Sequence, residues 1–183
     1  MARSKGCYDE LLKIQNLVYI LGNHDSWALE WVTTGNIPEV WISQGGAATI
    51  RSYKCIVPEE HKKLLKTARY YYIEENKVFV HGGFNIDKHL NHQNKSNFLW
   101  DRKLVYTALE AGNTKLTQFD EIYLGHTPTL NFGSEKPIQA GEIFLMDTGC
   151  GWPNGFLTIM NCKTKEFFQS DKASSLYPNS SSR

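Results

Sequence analysis

Three short apolar runs of this sequence each end at glycine and histidine. Leu17–Leu21 precedes Gly22-Asn23-His24-Asp25, Val78–Val80 precedes His81-Gly82-Gly83, and Ile122–Leu124 precedes Gly125-His126-Thr127. Short apolar runs bounded by glycine are typical of strands buried on both faces, and α/β proteins bind ligands at the carboxyl ends of such strands. The pattern therefore predicts an α/β fold in which three strands bring polar side chains to one edge of a sheet.

The rest of the chain combines helical and strand-like patterns. Helices are predicted at Tyr8–Gln15, Ser26–Thr33, Pro58–Arg69 and Ser96–Ala111. Strands are predicted at Asn16–Leu21, Tyr70–Ile73, Val78–Val80, Glu121–Leu124, Ile143–Met146, Phe156–Met160 and Glu166–Gln169, with hairpin turns at residues 75–77 and 163–165. This mixture indicates an α/β or α+β chain built on a layered sheet.

Length, charge and cysteine content limit the class of protein. A chain of 183 residues with 41% hydrophobic content predicts one globular domain over residues 1–170, followed by a polar, disordered tail at 171–183. Twenty basic and nineteen acidic residues give a net charge of +1, which indicates neither nucleic-acid nor membrane binding. The sequence shows no export signal, and its four separated cysteines are typical of reduced thiols. We expect a cytoplasmic protein.

Each strand end alone has a common structural explanation. Asn-His-Asp after a strand is typical of a helix cap, a lone histidine such as His81 of a hydrogen-bonded core residue, and Gly-His-Thr of a turn. Three such ends in one chain, with glycines where a backbone would approach a ligand closely, favour a functional site. The remaining histidines, His61, His89 and His92, lie in polar segments and are expected to be solvated.

These motifs resemble those of the calcineurin-like metallophosphoesterases, in the phosphoprotein (serine/threonine) phosphatase branch and its small bacterial and phage members. GNHD at 22–25, HGG at 81–83 and GHTP at 125–128 are similar to the last three of the five family motifs. Further similar segments are Leu99–Arg102, Trp41 with Gln44–Thr49, and Asp147–Cys150 with Gly155–Thr158. The resemblance extends to about Gln169 and implies a layered metallophosphoesterase-type β-sandwich flanked by helices.

The resemblance implies a role for five residues. Asn23 through its amide oxygen, with His81 and His126 through ring nitrogens, would bind one divalent metal ion. Mn is the expected metal, with Fe, Zn or Ni as alternatives, and the complete family site holds two ions. His24 would act as the general acid beside the leaving oxygen. Arg102 would hold two phosphate oxygens with its planar guanidinium.

The first two family motifs, Asp-x-His and Gly-Asp-x-x-Asp-Arg-Gly, do not occur in this sequence. Residues 2–6 are similar to the segment that follows the second motif, so the fold is expected to be incomplete at its amino terminus. The two motifs would supply ligands of the second ion and a second arginine. Of the remaining acidic candidates, Asp25 is expected to cap a helix or support the ligands, and Asp147 is either a turn residue or a supporting group.

Three functions are compatible with this resemblance. The first is metal-dependent hydrolysis of phosphomonoesters by attack of a metal-activated water, on a phosphorylated protein or a small phosphoester. The second is hydrolysis of diadenosine tetraphosphate or another nucleotide. The third is a truncated, non-catalytic remnant that binds a metal ion or phosphate. The loops at 35–57 and 84–97 are expected to select the substrate.

Overall fold

The computed structural model describes residues 4–54, 56–176 and 178. The chain divides into two compact units, Met1–Tyr70, here called the helical unit, and Tyr71–Ser182, here called the sheet unit. Its fold is mixed α/β, with a five-stranded sheet and flanking helices, as the sequence pattern predicted. The assignment of residues 1–170 to a single domain stays a prediction.

The helical unit is built from short helices. Its described helices are α1 (Ser4–Leu11), α2 (Asn23–Thr34), α3 (Glu39–Trp41), α4 (Ala47–Ser52) and α5 (Glu59–Thr67). Between α3 and α4 the chain makes a wide turn at Ile42–Gly46. Gly46 lets this turn pack on Trp41, because a Cβ at Gly46 would lie 2.5 Å from the indole ring. The segment 35–57, predicted as a loop, is therefore largely helical.

Aromatic rings form the core of the helical unit. Trp41 and Tyr53 are buried, and the ring of Trp31 lies 5.9 Å from the first and 6.1 Å from the second. His61 is also fully buried in this core, with Nδ1 3.0 Å from the Tyr53 hydroxyl oxygen. The prediction of a solvated His61 is wrong, because His61 lies one turn before the buried Leu65 on the inner face of α5.

The sheet unit contains the main sheet. Its strands are β1 (Tyr71–Glu74), β2 (Lys77–Val80), β3 (Glu121–Leu124), β4 (Ile138–Ala140) and β5 (Ile143–Leu145), in the order β1-β2-β3-β5-β4. The three inner strands are parallel, and β1 and β4 pair with them antiparallel at the two sides. Strands β6 (Thr158–Met160) and β7 (Phe167–Gln169) pair separately. Both predicted hairpins are confirmed, whereas the three-residue β4 was not predicted.

The remaining helices of the sheet unit flank these strands. They are α6 (Lys95–Trp100), α7 (Lys103–Ala111) and α8 (Ala173–Leu176). Short 3₁₀ turns occur at Leu90–His92 and Thr129–Phe132. Helix α8 lies in the segment predicted as a disordered tail, of which residue 177 and residues 179–183 lie outside the described part of the chain.

The inner strands of the main sheet are covered on both faces. Val78, Ile122 and Ile143 are fully buried on one face. On the other face the register places Phe79 beside Tyr123 and Tyr123 beside Phe144. In both pairs the ring centroids are 4.9 Å apart. Burial on both faces is thereby confirmed for β3 and β5, whereas Phe79 on the second face of β2 is half-buried.

The first predicted strand, Asn16–Leu21, is reduced to one parallel bridge between Ile20 and Arg69. The Arg69 amide donates to the Tyr19 carbonyl at 2.8 Å, and the Leu21 amide donates to the Arg69 carbonyl at 2.8 Å. The apolar run is therefore extended, but its described pairing covers a single residue. It still leads directly into α2.

Two broad predictions concern the whole chain. None of the described helices is both long and apolar enough to cross a membrane. Cys7 and Cys162 are free thiols, as expected, and Cys55 lies outside the described residues.

Candidate functional site

His81 and His126 lie side by side at the carboxyl ends of β2 and β3. The two strands are parallel, and their register pairs Val80 with Leu124, so the residues that follow emerge together. The amide of Gly125 donates to the carbonyl of His81 at 2.9 Å, which continues the pairing one step beyond the strands. The imidazole centroids are 4.9 Å apart. The structure thus brings together two of the three predicted metal ligands.

The backbone of His126 adopts a conformation that side-chain-bearing residues rarely take. Its φ is +63°, in the left-handed region, within a tight turn in which the Thr127 amide donates to the Gly125 carbonyl. A non-glycine residue in this region costs free energy and persists only where surrounding contacts hold it. Such strain is typical of functional sites, where a side chain must point in one particular direction.

The glycines after His81 are required by a close contact with α6. The Gly82 amide donates to the Phe98 carbonyl at 2.6 Å, and the Gly83 amide faces the Asn97 carbonyl at 3.3 Å. A Cβ at Gly82 would lie 2.9 Å from the backbone nitrogen of Trp100. Because Gly82 and Gly83 have no side chains, the end of α6 can pack directly against the segment that follows His81.

The predicted helix Ser96–Ala111 is in fact two helices, and the prediction of one continuous helix is wrong. The chain leaves the helical conformation at Asp101, whose ψ is 134°. A carboxylate oxygen of Asp101 then accepts from the Leu104 amide at 3.1 Å, as a helix-capping aspartate does. The break between α6 and α7 falls at Arg102 and turns its side chain out of a helical surface.

Arg102 is anchored to the His126 loop. Its Nη1 donates to the His126 carbonyl at 3.0 Å and to the Thr127 hydroxyl at 3.3 Å. The side chain is exposed, and its other nitrogens bond to none of the described residues. One edge of the guanidinium is therefore fixed beside the histidines, and the other edge remains able to bind an anion.

Burial sets the protonation of His126. Desolvation, followed by the charges of His81 and Arg102, lowers its pKa to about 3, against an opposing effect of the Trp100 backbone. Its Nε2 is buried and has no hydrogen-bond partner among the described residues. A buried ring nitrogen that no protein group satisfies is a candidate metal ligand.

Two predicted site residues lie in the helical unit, at the start of α2. Asn23 is buried, and His24 is half-buried with its ring 5.0 Å from that of Trp27. A carboxylate oxygen of Asp25 accepts from the Gly22 amide at 2.9 Å, which confirms its predicted capping role. His81, Arg102 and His126 all belong to the sheet unit, so the joint ligand set with Asn23 stays a prediction.

The other candidates raised by the sequence are Asp147, His89 and His92. Asp147 makes a turn contact, since its Oδ1 accepts from the Gly149 amide at 2.9 Å. His89 and His92 are exposed, as predicted. Within the described ranges, no group of three or more histidine, cysteine, aspartate or glutamate side chains is placed to hold a metal ion.

Two neighbours of the histidines were not singled out from the sequence. The ring of Trp100 stands edge-on to His126 at 5.7 Å, and the buried Thr127 anchors Arg102. The available signal was their position in the sequence: Trp100 lies two residues before Arg102, and Thr127 directly follows His126.

The structure is similar to a solved protein. The crystal structure of a metallophosphoesterase from Sphaerobacter thermophilus matches with a TM-score of 0.52 over 92% of this chain and 72% of that one, at 13% sequence identity. The chain therefore shares its fold with that metallophosphoesterase. A likeness at this identity establishes the fold and not the activity. No model of a known protein family and no curated protein matches the sequence.

Proposed function

We propose that this protein is a metal-dependent phosphoester hydrolase. The observation that carries the proposal is the paired imidazoles at the ends of two parallel strands, with the buried Nε2 of His126 unsatisfied and Arg102 anchored beside it. The metallophosphoesterase fold supports the same conclusion. Two imidazoles next to a guanidinium can serve a metal ion and a phosphate together.

His81 and His126 would hold a divalent ion, with the amide oxygen of Asn23 as the proposed third ligand. The donor set suits Mn, Fe, Zn or Ni, because imidazole nitrogen favours these ions over Mg or Ca. The His126 ring fits this role, since its buried Nε2 has no hydrogen-bond partner among the described residues and burial lowers its pKa, which favours the neutral ring. When bound, the ion would supply Lewis acidity at the phosphoryl group.

The other side chains would act on the phosphate itself. Arg102 would bind phosphoryl oxygens with the nitrogens that do not contact the His126 loop, and would stabilise their charge as the ester bond breaks. His24, next to Asn23, would donate a proton to the leaving oxygen. This division of work gives Arg102 the larger effect on substrate binding and His24 the larger effect on departure of poor leaving groups.

Within this class we propose a phosphomonoesterase of the protein serine/threonine phosphatase type, cytoplasmic, with Mn as its metal. The order of the GNHD, HGG and GHTP motifs supports this assignment. Assays with manganese, a phosphoserine peptide and a dinucleoside polyphosphate distinguish it from a nucleotide hydrolase. Turnover of the dinucleotide alone would move the assignment to that second class, and inertness toward both in the presence of bound metal would leave a binding protein.

The decisive experiment compares two substitutions for metal binding and turnover. His126→Ala should abolish tight Mn²⁺ binding in a calorimetric titration, because it removes the oriented nitrogen. Arg102→Ala should leave Mn²⁺ binding unchanged and raise the Michaelis constant for a phosphomonoester by roughly tenfold to a hundredfold, since a charge-assisted contact is lost. Lys103→Ala, an exposed cation at the next position, is the matched control and should change neither. Unchanged Mn²⁺ binding in the His126 variant would contradict the proposal.

A further inference from the structure

The carboxylate of Asp25 is held at both oxygens within the helical unit. Oδ2 accepts from the Gly22 amide at 2.9 Å, and Oδ1 accepts from the Tyr8 hydroxyl at 3.1 Å. The Tyr8 hydroxyl in turn lies 3.1 Å from that of Tyr19. A hydrogen-bonded chain therefore runs from the half-buried Tyr19 through the buried Tyr8 to the first turn of α2.

The start of α2 depends on this carboxylate. Gly22 occupies the N-cap position with extended dihedral angles, φ −88° and ψ 169°, and has no side chain with which to cap the helix. The Gly22 amide is instead held by a side chain, because it donates to the carboxylate of Asp25, the third residue of the helix. Asn23 and His24 are the first two residues of the helix, so their direction follows from this bond.

Tyr8 is well placed to fix Asp25. It is 9% exposed, its ring stacks on His61 at a centroid distance of 5.6 Å, and its helix, α1, is tied to α4 by a 3.1 Å bond between the Ser4 and Thr49 hydroxyls. Burial, followed by the charge of Asp25, raises the pKa of Tyr8 well above its usual value, so the hydroxyl keeps its proton. The Tyr8 hydroxyl is therefore held in place by packing and remains a hydrogen-bond donor to Asp25.

We propose that Tyr8 is a positioning residue, which orients Asn23 and His24 by holding Asp25 against the Gly22 amide. The effect on the amide follows from the hydrogen bonds alone. The effect on metal binding and proton donation rests on the proposed function. Tyr8 itself does not touch the substrate.

The test compares Tyr8→Phe with Tyr53→Phe. Tyr53 is the matched control, because it is a buried tyrosine of the same core whose hydroxyl bonds to Nδ1 of His61. Amide hydrogen exchange at Gly22 is measured first, since it needs no metal or substrate. Tyr8→Phe should accelerate it by about tenfold, the effect of losing one hydrogen bond to a charged group, whereas Tyr53→Phe should leave it within about twofold of the wild type.

The second readout is functional. In Tyr8→Phe the dissociation constant for Mn²⁺ should rise and kcat for a poor leaving group should fall, each by about tenfold, with little change in the Michaelis constant. Both tyrosine variants should lower the thermal midpoint to a similar extent. Tyr53→Phe, however, should leave the dissociation constant for Mn²⁺ and kcat unchanged. Asp25→Asn breaks the same chain, so combining it with Tyr8→Phe should add little further exchange.

The outcomes separate the two proposals. Equal Gly22 exchange in the two tyrosine variants would overturn the positioning role, whatever the activity. Faster exchange with unchanged Mn²⁺ binding and turnover would restrict Tyr8 to helix stability and overturn its link to the site. A wild-type protein that binds no metal and cleaves no phosphoester would refute the proposed function, while the exchange comparison would still test the bond.

Discussion

The sheet unit and the helical unit hold their candidate site residues by different means. In the sheet unit the main chain does this, through the parallel register of β2 and β3, the Gly125 bond to the His81 carbonyl and the His126 carbonyl that anchors Arg102. In the helical unit the start of α2, which carries Asn23 and His24, is held by the side chains of Asp25 and the buried Tyr8.

The difference extends to the cores beneath the sites. The core under β2, β3 and β5 is apolar, with Val78, Ile122 and Ile143 fully buried. The core of the helical unit combines rings with polar atoms, including the contact of Nε2 of His61 with Asp9 at 3.1 Å. An apolar core is sensitive to lost volume, whereas a polar one is sensitive to unpaired donors and acceptors.

The largest expected effect comes from the apolar core. Ile122→Ala removes a fully buried side chain between two parallel neighbours and should lower the free energy of unfolding by about 3 kcal/mol. Urea unfolding gives this value, and hydrogen exchange should rise in β2, β3 and β5. Ile159→Ala, at a strand position that is 68% exposed, is the control and should cost less than about 1 kcal/mol. Equal losses in the two variants would contradict the assignment of the core.

A smaller loss is expected from a polar atom in the helical unit. His61→Leu keeps most of the side-chain volume but removes the hydrogen-bond partner of the Tyr53 hydroxyl. The free energy of unfolding should therefore fall by about 2 kcal/mol. Adding Tyr53→Phe should recover part of the loss, because both partners are then apolar. His92→Leu, an exposed histidine, should be close to neutral. If the double variant lost the full sum of the single effects, packing rather than hydrogen bonding would dominate this core.

The smallest effect is expected where the main chain holds the site. Thr127→Val removes one of the two acceptors of Arg102 Nη1 but leaves the His126 carbonyl in place. We expect stability to fall by about 1 kcal/mol and the Michaelis constant for a phosphomonoester to rise by less than about fivefold. Thr164→Val, at an exposed position in the β6–β7 turn, is a surface control. An effect as large as that of Arg102→Ala would mean that the side chain, and not the main chain, positions the guanidinium.

The sequence predicted the sheet unit better than the helical unit. The bounds of β3 agree with the predicted Glu121–Leu124, and the turn at residues 75–77 joins β1 to β2. These elements combine a strong local pattern with local pairing. Ile138–Ala140 was missed because its sequence, Ile-Gln-Ala, contains one large apolar residue and forms no apolar run.

The errors have identifiable physical causes. The break between α6 and α7 was missed because the apolar period continues across Asp101, although an aspartate three residues before Leu104 was an available capping signal. His61 was misplaced because residue type outweighed its spacing from Leu65. The run before Gly22 was expected to pair over several residues, yet its described bridge involves only Ile20 and Arg69.

By itself, the sequence determined which residues are the candidates for the chemistry, because an apolar run followed by glycine and histidine marks a strand end wherever that strand lies. Only the tertiary structure decided how those residues are held. The register that brings His81 to His126, the neutral state of the buried imidazole and the tyrosine that holds Asp25 all depend on contacts between segments far apart in the chain. Such contacts follow from packing, which leaves no periodic trace in a sequence.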